Sequence, residues 1–185
     1  MRKLIAAINI TLDGFCDHTA IVPDEEIHQH YSELIKCAGT LIYGWLSYHI
    51  IYNYWPSVVI NPTGKKAIDD FAVSIDNIPK IVFSNTIKKV DWKTATLAKK
   101  DIQEEVLELK QQAGKDIVVG SPGLIVSLIN LRLIDEFQLC IHPIILGKGL
   151  LLFKNVQDPV TFKLLKTKTF GCGAVTLYYE PSGKE

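Results

Sequence analysis

The chain has 185 residues, 48% of them apolar, which is typical of one compact domain with a sizeable core. Its 20 basic and 20 acidic side chains cancel, so there is no excess of positive charge to bind nucleic-acid phosphates or anionic lipid. No apolar stretch approaches the roughly 20 residues that a membrane span needs. We therefore predict a single domain over residues 1–185 with no nucleic-acid or membrane partner.

The cysteines and histidines show no metal-binding pattern. The four cysteines are widely spaced and none belongs to a C-x-x-C pair, which argues against a zinc site or a redox dithiol and indicates a reducing compartment. His28 and His30 lie two positions apart on a predicted helix, so they point about 200° away from each other and do not chelate one ion together. The sequence predicts a cytoplasmic protein without a metal site.

Apolar β-rich runs alternate with helical patterns along the chain, which is typical of an α/β sheet covered by helices on both faces. In chain order, the first predicted elements are a strand over residues 4–8, a helix from Asp24 to about Cys37 and a strand over 40–43. A helix that begins at Trp45, another helix that contains Ile68 and a strand over 80–83 follow. Trp45, Tyr48 and Tyr52 recur at helical spacing and share one face. That face either packs in a core or subunit interface, or lines a ligand cleft.

The second half contains half of a βαβ unit and a hairpin. Asp101 and Glu104 form a capping-box-like helix start, and Gly114 is the predicted helix stop. The β-branched residues 117–119 that follow predict a buried parallel strand. Further on, residues 161–170 and 174–179 flank a glycine-containing turn and predict an antiparallel C-terminal hairpin.

The strand over residues 117–119 runs directly into Gly120-Ser121-Pro122-Gly123. Ser121 is a favourable N-cap, and Pro122 is a favourable first helical residue. A strand-to-helix turn of this kind points backbone N–H groups and the helix dipole at one spot, which suits a diphosphate. The turn serves either phosphate binding or chain geometry alone, and it is not the G-x-G-x-x-G fingerprint of a standard Rossmann domain.

A second polar turn, Ser84-Asn85-Thr86, follows another predicted strand, and Lys88 and Lys89 lie just beyond it. Hydroxyl, amide and lysine groups in such a place suit the adenosine phosphate end of a dinucleotide. The alternative interpretation is an ordinary polar turn that bonds its own backbone.

Several segments together resemble one family. Residues 6–15 read A-A-I-N-I-T-L-D-G-F, residues 41–44 read L-I-Y-G and are followed by Ser47-Tyr48, and residues 118–133 contain the glycine turn and its helix. Asp135-Glu136, residues 143–149 (P-I-I-L-G-K-G) and Leu152-Phe153 complete the match. In this order the segments resemble the dihydrofolate-reductase-like family, in the type represented by the C-terminal reductase domain of the riboflavin biosynthesis deaminase-reductase, as a stand-alone member.

The resemblance implies a three-layer α/β fold with a mostly parallel central sheet, an antiparallel C-terminal hairpin and helices on both faces. It also implies NADPH as the cofactor, lying across the carboxyl ends of the strands, and a homodimer. The implied cofactor-binding residues are Ala7 near the nicotinamide, Gly44 and Ser47 near the diphosphate, Ser84, Asn85 and Thr86 at the adenosine end, and Gly120, Ser121, Gly123 and Leu124 on the phosphates.

Two positions bear on catalysis and one bears on cofactor choice. Asp13 lies in the L-D-G turn, the family's acidic position near the substrate, and its alternative role is a turn residue that bonds its own backbone. Counting back from Gly44 without gaps places His28 near the helix carboxylate of dihydrofolate reductase, and we rank it second to Asp13. Trp45 stands where the family has an arginine, the natural partner of the 2′-phosphate of NADPH, so NADH is also open as cofactor.

The leading hypothesis is a stand-alone NAD(P)H-dependent reductase of a small heteroaromatic or carbonyl compound, with the hydride supplied by the cofactor. The alternatives are a diverged, non-catalytic dinucleotide-binding protein and an obligate dimeric scaffold. We expect a homodimer because the aromatic-rich residues 45–55 and the apolar C-terminal strands offer more apolar surface than one small domain readily covers.

Overall fold

The computed structural model describes residues 1–17, 19–21 and 23–182. Its strands are β1 (Leu4–Thr11), β2 (Ala38–Gly44), β3 (Lys80–Phe83), β4 (Ala95–Leu97), β5 (Asp116–Val119), β6 (Glu136–His142), β7 (Phe162–Thr169) and β8 (Val175–Pro181). Its helices are α1 (Glu25–Cys37), α2 (Trp45–Tyr52), α3 (Trp55–Ile60), α4 (Lys66–Asn77), α5 (Ile102–Gln111) and α6 (Pro122–Asn130). Within the described ranges, none of the helices has both the length and the apolar character needed to cross a bilayer.

The strands form one sheet in the order β4-β3-β2-β5-β1-β6-β8-β7. Strands β2, β3 and β4 pair in parallel, and so do β1 and β6. Strand β8 pairs antiparallel with both β6 and β7. The predicted α/β fold, a mostly parallel sheet with an antiparallel C-terminal hairpin and helices around it, is therefore confirmed.

The chain divides into two compact units, each built from two separate stretches of sequence. Unit 1 comprises Met1–Arg2 and Pro23–Val118, and it contains α1 to α5 with strands β2, β3 and β4. Unit 2 comprises Lys3–Val22 and Val119–Glu185, and it contains α6 with strands β1, β6, β7 and β8. A single domain over residues 1–185 stays a prediction.

Local sequence signals place most of the elements correctly. The Asp24 carboxylate accepts a hydrogen bond from the Ile27 N–H at 2.9 Å, and Asp101 accepts one from the Glu104 N–H at 2.9 Å, so both predicted helix starts are confirmed. Strand β4 is not predicted by the sequence. It has three residues at the edge of the sheet, which are too few to show a β pattern.

The aromatic residues of α2 share one face, as predicted, and this face packs inside unit 1. The Tyr48 ring centroid lies 5.7 Å from that of Trp45 and 5.6 Å from that of Tyr52. Trp92 packs against Tyr48 and Tyr52, and its backbone N–H donates to the Tyr48 hydroxyl at 3.1 Å. Tyr48 is buried, so the interpretation as core packing accounts for it.

Lys80 on β3 is a buried cation within this part of unit 1. Its Nζ lies 4.0 Å from the centroid of the Trp92 ring. It donates to Thr94 Oγ1 at 2.7 Å and to the carbonyl oxygens of Ile78 and Asp76 at 2.8 and 3.3 Å. Burial lowers the pKa of Lys80 to about 7, against an opposing effect of the Asp76 carboxylate. Unit 1 therefore contains a lysine that loses its charge near neutral pH.

Replacing Lys80 by methionine should remove a pH dependence of stability. The pKa of an unfolded lysine is about 10.4, whereas that of folded Lys80 is about 7. Between these values the unfolded state binds more protons, so the free energy of unfolding rises with pH. Urea unfolding of the wild-type protein should show this rise between about pH 7 and about pH 10, and Lys80→Met should lack it. Lys99→Met, at an exposed lysine that forms no ion pair within the described residues, is the control that keeps the slope. The same slope in Lys80→Met would contradict the prediction.

Candidate functional site

The predicted phosphate turn lies in unit 2 and leads into α6. Ser121 occupies the N-cap position and Pro122 the first helical position, as predicted. The buried Ser121 side chain makes no capping hydrogen bond, however, so the capping bond expected from this residue type is absent. The first-turn N–H groups of α6 therefore receive no acceptor from the cap side chain, which suits them to bind an anion.

The two glycines of this turn have different surroundings. A Cβ at Gly120 would lie 3.3 Å from the carbonyl oxygen of Ala7 in β1, so the turn packs closely against this strand. A Cβ at Gly123 would meet no heavy atom within 4 Å. The space beside the first turn of α6 is therefore open, and the structure brings Ala7 together with Gly120 as the predicted cofactor site requires.

In unit 1, two other predicted cofactor segments lie at neighbouring strand ends. Strands β2 and β3 run parallel and end at the register pair Gly44 and Phe83. Helix α2 begins after Gly44 without a side-chain cap, and Ser47 lies in its first turn. Ser84 follows Phe83 directly. The start of α2 and the Ser84 turn therefore both lie at the carboxyl ends of these two neighbouring strands.

The turn that begins at Ser84 bonds its own backbone. The Ser84 hydroxyl accepts hydrogen bonds from the N–H groups of Thr86 and Ile87, both at 3.2 Å, which is the polar-turn arrangement. Asn85 and Thr86 are exposed. Their contact with a cofactor stays a prediction.

The two lysines beyond this turn differ in their contacts. Lys89 forms an ion pair with Asp91 at 2.9 Å. Lys88 is exposed and forms no ion pair with any residue in the described part of the chain. Lys88 is therefore the better placed of the two to meet a phosphate.

Asp13 joins the turn after β1 to the loop after β6. Its carboxylate accepts hydrogen bonds from Thr11 Oγ1 at 2.6 Å, from Gly147 N at 2.7 Å and from Leu146 N at 3.1 Å. These bonds, with that of the Thr11 hydroxyl first, lower the pKa of Asp13 to about 2. A carboxylate with this pKa is ionised at neutral pH and holds no proton to give. These contacts explain Asp13 as a residue that joins two loops. A catalytic role for Asp13 stays a prediction.

His28 on α1 is half-buried and packs beside a pair of aromatic rings of unit 1. The ring centroids of Trp55 and Phe71 lie 6.0 and 5.8 Å from that of His28. His28 Nδ1 lies 2.7 Å from the Asp24 carbonyl oxygen, which only accepts, so Nδ1 carries a hydrogen. A catalytic role for His28, and its rank below Asp13, stay predictions.

Three residues of unit 2 form a hydrogen-bonded cluster that the sequence patterns do not predict. His142 Nε2 lies 2.9 Å from Asn9 Oδ1 and 3.7 Å from Cys140 Sγ. The one local signal is Asn9 itself, a polar residue inside the apolar first strand. Among the described residues, no three histidine, cysteine or carboxylate side chains are arranged to hold a metal ion.

Solved structures of other proteins share the fold of this chain. The diaminohydroxyphosphoribosylaminopyrimidine deaminase/5-amino-6-(5-phosphoribosylamino)uracil reductase of Thermotoga maritima superposes with a TM-score of 0.68 at 17% identity, over 98% of this chain and 57% of that chain. Dihydrofolate reductase from Enterococcus faecalis, complexed with NADP(H) and RAB-propyl, superposes with a TM-score of 0.62 at 14% identity, over 98% and 97% of the two chains. The fold is therefore dihydrofolate-reductase-like.

Sequence similarity defines the family. The RibD C-terminal domain family matches residues 2–176. The uncharacterized protein YyaP of Bacillus subtilis (strain 168) is 33% identical over 190 residues, which cover 98% of this chain and 96% of that protein. The chain belongs to the RibD C-terminal domain family.

Replacing Asp13 by asparagine should lower stability and alter its acid dependence. The pKa of folded Asp13 is about 2, whereas that of an unfolded aspartate is about 3.9. The contribution of Asp13 is therefore present above about pH 4 and is lost as the pH falls through about 2. We expect Asp13→Asn to melt at a lower temperature at neutral pH and to lose less stability between about pH 4 and about pH 2.

Asp158→Asn is the matched control, because Asp158 is exposed and forms no hydrogen bond within the described residues. It should leave both measurements unchanged. An Asp13→Asn protein with the wild-type melting temperature and acid dependence would contradict the loop-joining role.

Proposed function

We propose that this protein is an NADPH-dependent reductase of a small heteroaromatic or carbonyl compound. The observation that carries the proposal is the start of α6, where the N-cap side chain makes no capping bond and Gly123 has open space beside it. Backbone N–H groups and the positive end of the helix dipole bind phosphate at such a place. Membership of the RibD C-terminal domain family, and a fold shared with a dihydrofolate reductase complexed with NADP(H), support a nicotinamide dinucleotide as the ligand.

The similarity to the Thermotoga maritima protein supports the substrate class. That protein is named a uracil reductase, and its substrate name contains a pyrimidine ring with amino substituents. A planar heteroaromatic ring is therefore the class of compound to test first. A ring of this kind suits the surroundings of His28, where Trp55 and Phe71 pack edge to face at 4.5 Å between centroids.

The residues of the chain would bind the cofactor and manage the proton of the reaction. In unit 2 we assign Gly120, Ser121, Gly123 and Leu124 to the phosphates and Ala7 to the nicotinamide. In unit 1 we assign Gly44, Ser47, Ser84, Asn85 and Thr86 to the remainder of the dinucleotide. Bound NADPH supplies the hydride, and His28 Nε2 is the atom that we assign to the proton, which goes to the nitrogen or oxygen of the reduced bond.

Changes at Gly123 should separate cofactor affinity from stability. Gly123→Val should weaken NADPH binding at least tenfold, about 1.4 kcal/mol, because the side chain intrudes where ligand oxygen and backbone N–H approach within about 3 Å. Gly123→Ala should leave the protein folded and more stable by up to about 1 kcal/mol, because alanine favours a helix over glycine. Fluorescence titration with NADPH measures the affinity, and thermal melting measures the stability.

Gly120→Ala provides the contrast, because its Cβ would press on the Ala7 carbonyl oxygen. Gly120→Ala should mainly lower the thermal stability of the protein, whereas Gly123→Val should mainly lower its affinity for NADPH. Wild-type NADPH affinity in a folded Gly123→Val protein would contradict the phosphate site. The absence of any thermal shift of the wild-type protein with millimolar NADPH or NADH would contradict the proposed function as a whole, since a ligand at 100 times its dissociation constant adds about 2.7 kcal/mol of stability.

Lys88 should determine the preference for NADPH over NADH. Trp45 replaces the family arginine, so the 2′-phosphate needs another cation, and Lys88 is exposed while Lys89 is paired with Asp91. We expect Lys88→Ala to weaken NADPH binding about fivefold, in line with one exposed ion pair of about 1 kcal/mol, and to leave NADH binding unchanged. Lys89→Ala is the control with little effect on either ligand. An equal loss of affinity for both dinucleotides in Lys88→Ala would contradict this assignment.

We also propose that the protein is a homodimer. The aromatic residues of α2 pack inside unit 1, but large apolar side chains of both units are exposed: Leu46 and Ile60 at 77% each, Ile145 at 74% and Leu12 at 61%. Exposed apolar groups of this size favour association. Analytical ultracentrifugation at tens of micromolar protein should show a dimer, and a monomer alone at that concentration would contradict this proposal.

A further inference from the structure

The cluster formed by Asn9, Cys140 and His142 lies on one face of the sheet in unit 2. Strands β1 and β6 pair in parallel with Asn9 opposite Cys140 and Thr11 opposite His142. Side chains alternate between the two faces of a strand, and residues in register point the same way, so all three clustered side chains are on the same face. The short distances from His142 Nε2 to Asn9 Oδ1 and Cys140 Sγ follow from this register.

Two residues of the cluster are buried, and the third is accessible to a ligand. Cys140 and His142 are 0% and 7% exposed, whereas Asn9 is half-buried. An amide oxygen only accepts hydrogen bonds, so His142 Nε2 donates to Asn9 Oδ1. The amide group is planar, so holding Oδ1 also sets the direction of Nδ2. His142 therefore fixes the orientation of a side chain that a ligand can reach.

The same face has polar groups that the protein does not satisfy. Gln138 lies two residues before Cys140 on β6, and Thr176 on β8 is opposite Cys140. Both residues are buried, and Gln138 Oε1 and Thr176 Oγ1 have no hydrogen-bond partner among the described residues. Buried polar atoms are nearly always paired with protein, water or ligand. This face of unit 2 is therefore suited to binding polar groups, unlike a purely apolar core.

Asn9 is close to the start of α6 along β1. Ala7 lies two residues before Asn9 on the same face, a distance of about 7 Å along a strand. The carbonyl oxygen of Ala7 is the atom against which Gly120 packs. A dinucleotide whose phosphates bind at Gly120 and Gly123 therefore has its next portion within reach of Asn9.

We propose that Asn9 binds the carboxamide of the nicotinamide ring and that His142 is the positioning residue that orients it. This inference rests on the proposed function, because it needs a nicotinamide dinucleotide at the start of α6. A carboxamide carries one acceptor and two donor hydrogens, which is the complement of the asparagine side chain. Fixing the asparagine in advance reduces the entropy lost on binding, as a supported binding residue requires.

The test compares two ligands that differ only in the nicotinamide ring: NADPH, and 2′-phospho-ADP-ribose, which lacks that ring. Asn9→Ala should raise the dissociation constant of NADPH about tenfold, the equivalent of one good hydrogen bond, and should leave that of 2′-phospho-ADP-ribose unchanged. Asn9→Asp keeps an acceptor for His142 but lacks the amide hydrogens, so it should show the same selective loss. Ile10→Val, at a buried residue on the opposite face of β1, is the control for a general disturbance of the strand and should affect neither ligand.

Two variants of His142 test the positioning role. His142→Leu removes the donor to Asn9 and should weaken NADPH binding selectively, whereas His142→Gln retains a donor and should restore part of the affinity. A purely structural role for His142 predicts equal effects on the two ligands and no difference between the two variants.

The outcomes separate this inference from the proposed function. Wild-type NADPH affinity in Asn9→Ala and Asn9→Asp, or an equal loss of affinity for both ligands, would overturn the assignment of Asn9 while leaving the dinucleotide site in place. Binding of neither ligand by the wild-type protein would overturn the proposed function and this inference together.

Discussion

The register of β1 against β6 is the constraint on which the candidate site in unit 2 depends. The Asp135 carboxylate accepts a hydrogen bond from the Leu4 N–H at 2.8 Å, and the Asp135 N–H donates to the Leu4 carbonyl oxygen at 2.9 Å. This double contact sets the two strands in place before their first register pair, Ile5 with Glu136. A slip of one residue would turn every side chain of β1 to the other face and would separate Asn9 from Cys140.

Aspartate carboxylates bind backbone N–H groups throughout the structure. Asp24 and Asp101 cap α1 and α5, and Asp13 holds the loop at Leu146 and Gly147. The N-cap side chain of α6 makes no capping bond, and Gly44 at the start of α2 has no side chain to make one. The first-turn donors of α2 and α6 are therefore suited to the oxygens of a ligand, whereas the donors that bond Asp24 and Asp101 are already occupied.

Two side chains assigned to the proposed reductase, Asn9 and His28, are each held in place by a hydrogen bond. On β1, Asn9 is oriented by its hydrogen bond with His142 of β6. On α1, His28 is fixed through Nδ1 by the backbone carbonyl of Asp24. Asp13, the residue favoured by the motif, has its carboxylate engaged by three donor residues and joins two loops.

The sequence by itself determined the features that depend on a few neighbouring residues. The caps at Asp24 and Asp101, the glycine turn before α6 and the C-terminal hairpin are set by local backbone preferences and side-chain spacing, and so the α/β fold class could be predicted. Only the tertiary structure decided what Asp13, Asn9 and His28 contact. Asp13 meets Leu146, and Asn9 meets His142, each across 133 positions of the chain. No local pattern records such pairs, because strand register and packing choose the partner, and those are properties of the folded chain as a whole.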